Sequence, residues 1–219
     1  MTDQPLPVKP ELPAELCEDQ PLQVVAQAAL LADGDVLGFR FVRDQLDGLH
    51  GSILEFSGCY FEHCYFGELS IKRMSFVDCA FEKCELDNLR LYNTTFQRVT
   101  FAHCRMTGME LGDAVWMNVS CEDCMMDYLS VGDSKLERSS FLRCRLRESL
   151  WSNVKLQRMR FLEADLTQAQ WMRTPLRGLD VSTCEIGGWS IELGDVRGLR
   201  VTSLQLVQLS GLLGVTLVE

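Results

Sequence analysis

Residues Ser57–Leu69, SGCYFEHCYFGEL, decide the fold because they contain the same five-residue step twice. Cys59 and the phenylalanine two residues after it recur as Cys64 and a second phenylalanine. Paired cysteines beside a histidine also suggest a metal or redox site, as does the CxxC spacing in CEDC at Cys121–Cys124. With ten cysteines in 219 residues, the chain could be a metal protein, a disulfide scaffold or a protein whose cysteines have another role.

The five-residue step extends far beyond the quoted stretch. Steps of five from Val36 to Val201 give 34 central positions, and only Gly51 among them is not hydrophobic. Ten of the eleven phenylalanines fall in this column, and a second column of small or apolar residues lies two positions earlier. A period of five is neither helical nor a simple strand alternation. The pattern predicts a solenoid, with two inward residues per pentapeptide.

Like residues recur at a spacing of twenty, which predicts that four pentapeptides close one coil. We number the four faces by their central residues: face 1 contains Phe61, face 2 Phe66, face 3 Ile71 and face 4 Phe76. Each face also includes the pentapeptides whose central residues precede or follow these by multiples of twenty. About eight coils stacked at strand spacing make a rod of roughly 40 Å. No extra residue interrupts the frame, which predicts an unbroken coil.

The cysteines fit the same frame. Eight of the ten occupy the second inward column, and five of them are spaced by twenty. A straight column of parallel thiols suits neither disulfide torsions nor tetrahedral metal binding. We therefore predict reduced, structural cysteines, no catalytic or metal site and no cofactor. A thiol or metal protein that uses this ladder remains the remote alternative. The five ladder residues are Cys64, Cys84, Cys104, Cys124 and Cys144.

The composition and the N-terminal sequence indicate the cellular location of the protein and the class of partner that it binds. The N-terminus lacks the basic and apolar regions of a signal peptide, and no apolar run approaches the roughly 20 residues that span a bilayer. We expect a cytoplasmic protein without a membrane partner. A formal net charge of −10 argues against direct nucleic-acid binding and favours a basic protein partner.

The two ends depart from the frame and divide the chain into three parts. Residues 1–35 comprise a Pro- and Glu-rich segment, extended or loosely ordered, and a capping helix; residues 36–203 form the repeat; residues 204–219 form a C-terminal helix and tail. The last part has more apolar residues than one capping face requires, which predicts a homodimer contact. Its predicted interface residues are Leu204, Leu206, Val207, Leu209, Leu212, Leu213, Val215 and Leu217.

The charged residues are distributed unequally among the four faces. Face 2 sums to −6 and face 4 to +3, whereas faces 1 and 3 are neutral. A rigid rod with one acidic side suits a basic groove, although a charged solenoid face is also an ordinary solvated surface. The candidate partner-binding residues on face 2 are Asp47, Glu68, Glu85, Asp87, Asp127 and Asp165.

The two inward columns resemble those of the pentapeptide-repeat family. ADLTQ at Ala164–Gln168 fits the family consensus A(D/N)LXX, and most other repeats keep only the inward positions. The resemblance implies a right-handed quadrilateral β-helix. The predicted fold class is thus an all-β solenoid with short capping helices at the N- and C-termini.

Within that family, the chain resembles the Qnr-like fluoroquinolone-resistance proteins, in particular the loop-free Gram-positive kind. The resemblance rests on length, on KPELPAEL near the N-terminus, on the unbroken frame and on the leucine-rich SLQLVQLSGLLGV. It implies a dimeric, non-enzymatic DNA mimic that binds a type II topoisomerase, above all DNA gyrase, and protects it from fluoroquinolones. The chain lacks the loops of Gram-negative Qnr proteins. The rival hypothesis is a scaffold that binds another protein.

Overall fold

The structure is a computed structural model that describes residues 6–213. Within that range, two α-helices lie at the two ends of a rod of short strands, and a 3₁₀ helix (Ser210–Leu213) follows the second helix. The helices are α1 (Leu22–Ala32) and α2 (Ser203–Leu209). The strands are β1 (Asp35–Leu37), β2 (Arg40–Val42), β3 (Gln45–Leu46), β4 (Leu49–Ser57), β5 (Tyr60–Glu62), β6 (Tyr65–Phe66), β7 (Leu69–Glu82), β8 (Arg90–Tyr92), β9 (Thr94–Ala102), β10 (Glu110–Gly112), β11 (Val115–Glu122), β12 (Ser130–Gly132), β13 (Lys135–Glu137), β14 (Ser140–Leu142), β15 (Leu150–Ser152), β16 (Lys155–Gln157), β17 (Arg160–Leu162), β18 (Gln170–Met172) and β19 (Ser190–Ile191).

Successive coils stack in parallel with a register of twenty residues, as the sequence predicts. Phe56 pairs with Phe76, and Phe76 pairs with Phe96. On face 1, the rings of Phe61 and Phe101 stack on opposite sides of Phe81, with centroids 4.6 and 4.7 Å away. The second inward column is buried along the rod, so both predicted inward columns form one continuous core. The fold is a right-handed quadrilateral β-helix.

The corners of the coil use the left-handed backbone conformation. The residue two places after a central position has a positive φ at most corners, for example 57° at Asn88, 52° at Arg98 and 55° at His103. Glycine, asparagine and aspartate adopt this conformation most readily, whereas for arginine it carries a steric cost. Stacking of the inward residues therefore stabilises corners that local preference would not form.

Helix α1 covers the first coil and explains the exception at Gly51. A Cβ atom at Gly51 would lie 2.5 Å from Leu30 Cδ2, so glycine lets the helix pack here without displacing the Leu30 side chain. Asp44 supplies a cap for α1, since its Oδ2 accepts the Leu22 N–H at 2.6 Å. An N-terminal carboxylate also interacts favourably with the helix dipole.

The N-terminal segment is extended along the rod. The Val8 N–H donates to Asn118 Oδ1 at 3.3 Å, and the Glu11 N–H donates to Asp78 Oδ1 at 3.0 Å. Prolines at positions 7, 10 and 13 favour polyproline II, in which three residues span about 9.3 Å. Two coils span about 9.6 Å. The segment can thus repeat its contacts every second coil, and it joins the first coil where Cys17 bridges Phe39.

Asp78 also forms an ion pair with Arg98, which predicts how the unfolding free energy depends on pH. Arg98 donates through Nε and Nη2 to the Asp78 carboxylate at 2.6 and 2.5 Å, and these hydrogen bonds lower the pKa of Asp78. A depressed folded-state pKa stabilises the fold above the unfolded value of about 3.9, and this stability is lost as the pH falls. Between pH 7 and pH 3, the unfolding free energy measured in urea should fall further in the wild type than in Asp78→Asn. Equal losses in both proteins would contradict this prediction.

At the other end, Gln205 closes the last coil. Its Nε2 donates to the carbonyl oxygens of Val181 and Cys184 at 2.7 and 2.8 Å. Thr202 and Gln205 also form a capping box at the start of α2. Helix α2 therefore caps the rod through a buried amide.

Gln205→Ala should lower the unfolding free energy by about 2 kcal/mol, because it takes the side-chain donor from the buried Cys184 carbonyl and removes one of the two hydrogen bonds to the Val181 carbonyl, which still accepts the Cys184 N–H. Urea unfolding measures the loss. Gln208→Ala, at an exposed position of the same helix, is the matched control and should change the unfolding free energy by less than about 0.5 kcal/mol. Similar losses in the two variants would refute the capping role of Gln205.

The cysteine ladder lies inside the rod, and all ten cysteines are free thiols in the structure. The Sγ of Cys84 donates to the Phe61 carbonyl at 3.4 Å, and that of Cys124 donates to the Phe101 carbonyl at 3.5 Å. Burial raises the pKa of the Cys79 and Cys121 thiols, which favours the protonated form. The thiols act as small core residues that also donate hydrogen bonds to the neighbouring coil.

Candidate partner-binding face

Face 2 carries the acidic residues that the sequence assigns to partner binding. Isolated parallel bridges join its coils at the residue before each central position, so these side chains form one outward column. The column is chemically mixed, with acidic, basic and neutral members. It contains Tyr65, Glu85, Arg105, Met125, Arg145, Asp165 and Glu185.

Three of the predicted carboxylates hold the coil together. Asp47 Oδ1 accepts the Glu68 N–H at 2.7 Å, and Asp87 Oδ1 accepts the Thr107 N–H at 2.9 Å. Asp127 Oδ1 accepts an N–H from the next coil in the same way, at 3.2 Å. These aspartates follow the central residue on alternate coils, and each satisfies a corner N–H group. Their presence on face 2 therefore has a structural cause as well as an electrostatic consequence.

Arginines neutralise the later part of face 2. Arg105 Nη2 lies 2.5 Å from Asp87 Oδ2, and Arg145 Nε lies 2.6 Å from Asp127 Oδ2. Asp165 forms an ion pair with Arg147. The three arginines remain partly exposed, so these pairs contribute little to stability. Their main effect is to remove net negative charge from this part of the face.

Asp165 shows the balance of forces on a half-buried carboxylate. Partial burial raises its pKa, but hydrogen bonds from Thr167 and Arg147 outweigh burial and leave the pKa lowered. Thr167 donates through both its N–H, at 3.1 Å, and its hydroxyl, at 2.6 Å. Asp165 is therefore ionised at neutral pH, yet most of its acceptor capacity is used within the rod.

At the N-terminal end of face 2, the carboxylates have no basic residue in their own pentapeptides. The face-2 pentapeptides between residues 44 and 88 contain five carboxylates and no lysine or arginine. Asp44 caps α1 there, and Asp47 binds the next coil. Glu68 and Glu85 are exposed, and Glu85 lies 3.6 Å from Arg105. The structure thus brings the six predicted residues to one face, and it makes Glu68 and Glu85 the most available carboxylates among them.

The predicted dimer residues divide into two groups. In helix α2, Leu204, Leu206 and Val207 are 72%, 59% and 50% exposed. Leu209 is buried in the core of its own rod, and Leu212 packs partly against that core, so both contribute to the end cap. The side chain of Leu213, together with Val215 and Leu217, lies outside the described residues.

The five-residue pattern does not predict that some exposed residues near face 2 line a groove. A groove of about 630 Å³ lies where faces 2 and 3 meet, with Tyr65 and Tyr92 among its lining residues. Both are outward positions, which the repeat leaves free to vary. One signal was available: Ile53 is β-branched and occupies a corner position, where a left-handed backbone is strongly disfavoured. It indicates an irregular corner next to the groove.

Within residues 6–213, no three His, Cys, Asp or Glu side chains converge as a metal site requires. In the same range, no helix combines the length and apolar character needed to cross a membrane.

Four-sided coils of parallel strands, with two inward residues in every five, define the class of parallel β-solenoids. The sequence profile described as "Pentapeptide repeat region" matches residues 54–131 and 96–171. These matches cover more than half of the chain, and the chain therefore belongs to the pentapeptide-repeat family. No curated protein matches the sequence.

Solved structures with a similar architecture include three pentapeptide-repeat proteins. Full-length QnrB1, a plasmid-mediated fluoroquinolone resistance protein, is 14% identical, with 83% of this chain and 100% of that chain covered and a TM-score of 0.34. Rfr23 from the cyanobacterium Cyanothece 51142 is 13% identical, with 57% and 88% covered and a TM-score of 0.35. HetL from Nostoc, involved in heterocyst differentiation regulation, is 11% identical, with 80% and 92% covered and a TM-score of 0.26.

Proposed function

We propose that this protein is a cytoplasmic, non-enzymatic interaction module that binds a type II topoisomerase, DNA gyrase in particular, and protects it from fluoroquinolones. Face 2 would dock in the positively charged groove that normally holds DNA. The observation that carries the proposal is the run of carboxylates between residues 44 and 88, unaccompanied by any lysine or arginine on that face. A rigid rod presents such charges at fixed spacing, which favours electrostatic docking.

A supercoiling assay tests the proposal directly. DNA gyrase is assayed with and without ciprofloxacin while this protein is titrated into the reaction. Restored supercoiling in the presence of the drug supports protection, and a loss of supercoiling without the drug indicates binding that only inhibits. No effect in either assay at micromolar protein would reject the topoisomerase proposal.

A second candidate function is a scaffold that binds another protein. The observation that favours it is the pairing of Asp87, Asp127 and Asp165 with arginines. The run of carboxylates between residues 44 and 88 spans two coil steps, or about 10 Å, whereas duplex DNA carries one charge per about 1.7 Å along its axis. A mixed-charge surface of this kind suits a partner with both signs of charge.

The exposed apolar side of α2 would be the dimer contact. Leu204→Glu combined with Val207→Glu places two carboxylates on positions three apart, which share one side of the helix. We expect a dimeric wild type and a monomeric variant in light scattering coupled to size-exclusion chromatography. Leu31→Glu is the control, because Leu31 is 82% exposed on α1 at the other end. A wild type that is monomeric at 100 μM would reject the dimer.

A further inference from the structure

The ladder of face 4 stops before the C-terminal end of the rod. Strand β16 is the last strand of this ladder, and it pairs on one side only, with β13. The Lys135 and Lys155 N–H groups each donate to the preceding coil at 2.9 Å. Pro175 is the next residue in that column, and proline has no N–H group to donate. The sequence frame continues at Pro175, but the hydrogen-bonded ladder does not.

The corner also changes its shape at this point. The Leu179 N–H donates to the Leu176 carbonyl at 3.0 Å, and Gly178 between them has φ 81°, as in a type II turn. Residues 156–159 of the preceding coil continue from strand β16 and, within the part of the chain that the structure describes, lack this turn bond. Two corners of different shape stack imperfectly.

A cavity of about 90 Å³ lies between these two corners. Leu156, a central residue of face 4, is only partly buried here, although Leu136 and Leu176, one coil before and one coil after it, are fully buried. Four apolar residues and two exposed arginines, Arg158 and Arg177, line the cavity. The apolar residues are Leu156, Met159, Leu176 and Leu179. The site therefore combines an apolar wall with positive charge.

Backbone donors of the first corner are left unused. One coil earlier, the Arg138 N–H donates to the Gln157 carbonyl at 2.9 Å. The equivalent Arg158 N–H has no acceptor in the next coil within residues 6–213, and neither has the Leu156 N–H. A carboxylate oxygen is a strong acceptor for such N–H groups.

Exposed cations extend beyond the cavity. Arg177 forms no ion pair within residues 6–213, and Arg158 lies 3.5 Å from Glu137 in an exposed pair that contributes little. Lys155 and Arg197, the neighbouring exposed cations of face 4, also have no ion-pair partner among the described residues. These cations spread over two coil steps, or about 10 Å. A single small anion would use the cavity alone, whereas an acidic chain segment uses the whole group.

We propose that this site binds an acidic segment of a partner protein. One glutamate places its aliphatic stem against the apolar wall and its carboxylate on the unused N–H groups and the two arginines. Neighbouring carboxylates of the segment pair with Lys155 and Arg197. Arginine binds carboxylates through paired hydrogen bonds, which gives such a site geometric specificity. Faces 2 and 4 lie on opposite sides of the coil, so this site is separate from the topoisomerase proposal and does not depend on it.

Anisotropy titrations with fluorescent peptides test the charge requirement. The peptide GEEEEEG should bind, and GQQQQQG, of nearly the same shape, should bind more weakly by about tenfold or more. Arg158→Gln combined with Arg177→Gln should weaken binding of the acidic peptide by a similar factor. The control combines Lys72→Gln with Arg73→Gln, which removes the same charge from exposed residues near the other end of the rod. No binding at about 1 mM peptide, or equal weakening by the two pairs of substitutions, would overturn the proposal.

A further variant tests the cavity itself. Pro175→Thr combined with Gly178→Asn leaves every charge in place and supplies the residue types found earlier in these columns, at Thr95 and Asn118. The restored N–H group can continue the ladder, so the cavity should close and the acidic peptide should bind about tenfold more weakly. The urea midpoint should not fall, which separates closure of the cavity from unfolding. Undiminished binding by this variant would contradict the site.

Hydrogen exchange locates the bound peptide. Saturating GEEEEEG should slow exchange of the Leu156 and Arg158 amides about tenfold and leave the Arg138 amide, which is already bonded, unchanged. Binding without this protection would place the peptide elsewhere and reject the proposal. A short DNA duplex that binds more tightly than the peptide, with the same dependence on the two arginines, would make phosphate the ligand and would equally reject an acidic protein segment.

Discussion

Phe81→Ala is expected to lower the unfolding free energy by about 3–5 kcal/mol, the range found when a buried phenylalanine is removed from a packed core. Phe81 is 1% exposed. It stacks between Phe61 and Phe101 and meets the Phe76 ring edge-on at 5.4 Å. The alanine would leave a cavity between two coils that the rest of the stack cannot fill, because each ring is fixed by its own coil. Urea unfolding monitored by far-UV circular dichroism measures the loss.

Two controls separate packing from the general cost of mutation. Phe81→Leu keeps most of the buried volume and should lose less than half as much unfolding free energy. Tyr92→Ala removes a half-exposed ring outside the core and should lose less than about 0.5 kcal/mol. In a solenoid, each coil contacts only its neighbours, so the loss should be greatest near the altered coil. Equal losses in Phe81→Ala and Phe81→Leu would contradict the stacking argument.

The sequence predicts the interior of this rod well because the interior repeats. Every coil presents the same two inward positions, so a residue such as Phe81 is constrained by neighbours one coil above and one below. The register of twenty, the buried cysteine ladder and the coil as a whole follow from that constraint. Gly51, the one exception in the central column, lies close to Leu30 of α1, which is outside the repeat.

The exterior was harder to predict because outward side chains obey no such constraint. The six carboxylates that the sequence assigns to partner binding lie on face 2, but the sequence did not reveal that Asp87 and Asp127 accept hydrogen bonds from N–H groups of the next coil. Nor did the unbroken frame predict that the six-stranded sheet ends at β8, which pairs only with β10. Ile53 and Arg73 occupy corner positions but lie within β4 and β7, because a corner can straighten without any change in residue number. The five-residue period determines whether a side chain points inward or outward. The hydrogen bonds and ion pairs of an outward side chain depend on which residues lie next to it.

Reversing charge at Glu68 and Glu85 is expected to weaken gyrase binding at least 100-fold and to abolish protection in the ciprofloxacin assay. Both carboxylates are exposed, and neither accepts a hydrogen bond that holds the coil together. Glu68→Lys combined with Glu85→Lys changes the local charge by four units and places cations against a basic groove. Like charges across an interface cost several kcal/mol, and each 1.4 kcal/mol is tenfold in affinity. Surface plasmon resonance measures the dissociation constant.

The matched control combines Glu163→Lys with Glu192→Lys, which makes the same change in net charge on faces 1 and 3. If face 2 docks, this control should keep wild-type affinity to within about threefold, because exposed charges farther than about 8 Å from the interface are largely screened at physiological salt. The same urea midpoint in both double variants would show that neither one acts through unfolding. Equal weakening by the two variants would mean that gyrase senses net charge rather than face 2. Loss of affinity in the face-2 variant only, largest at low salt, would locate docking on the acidic end of the rod.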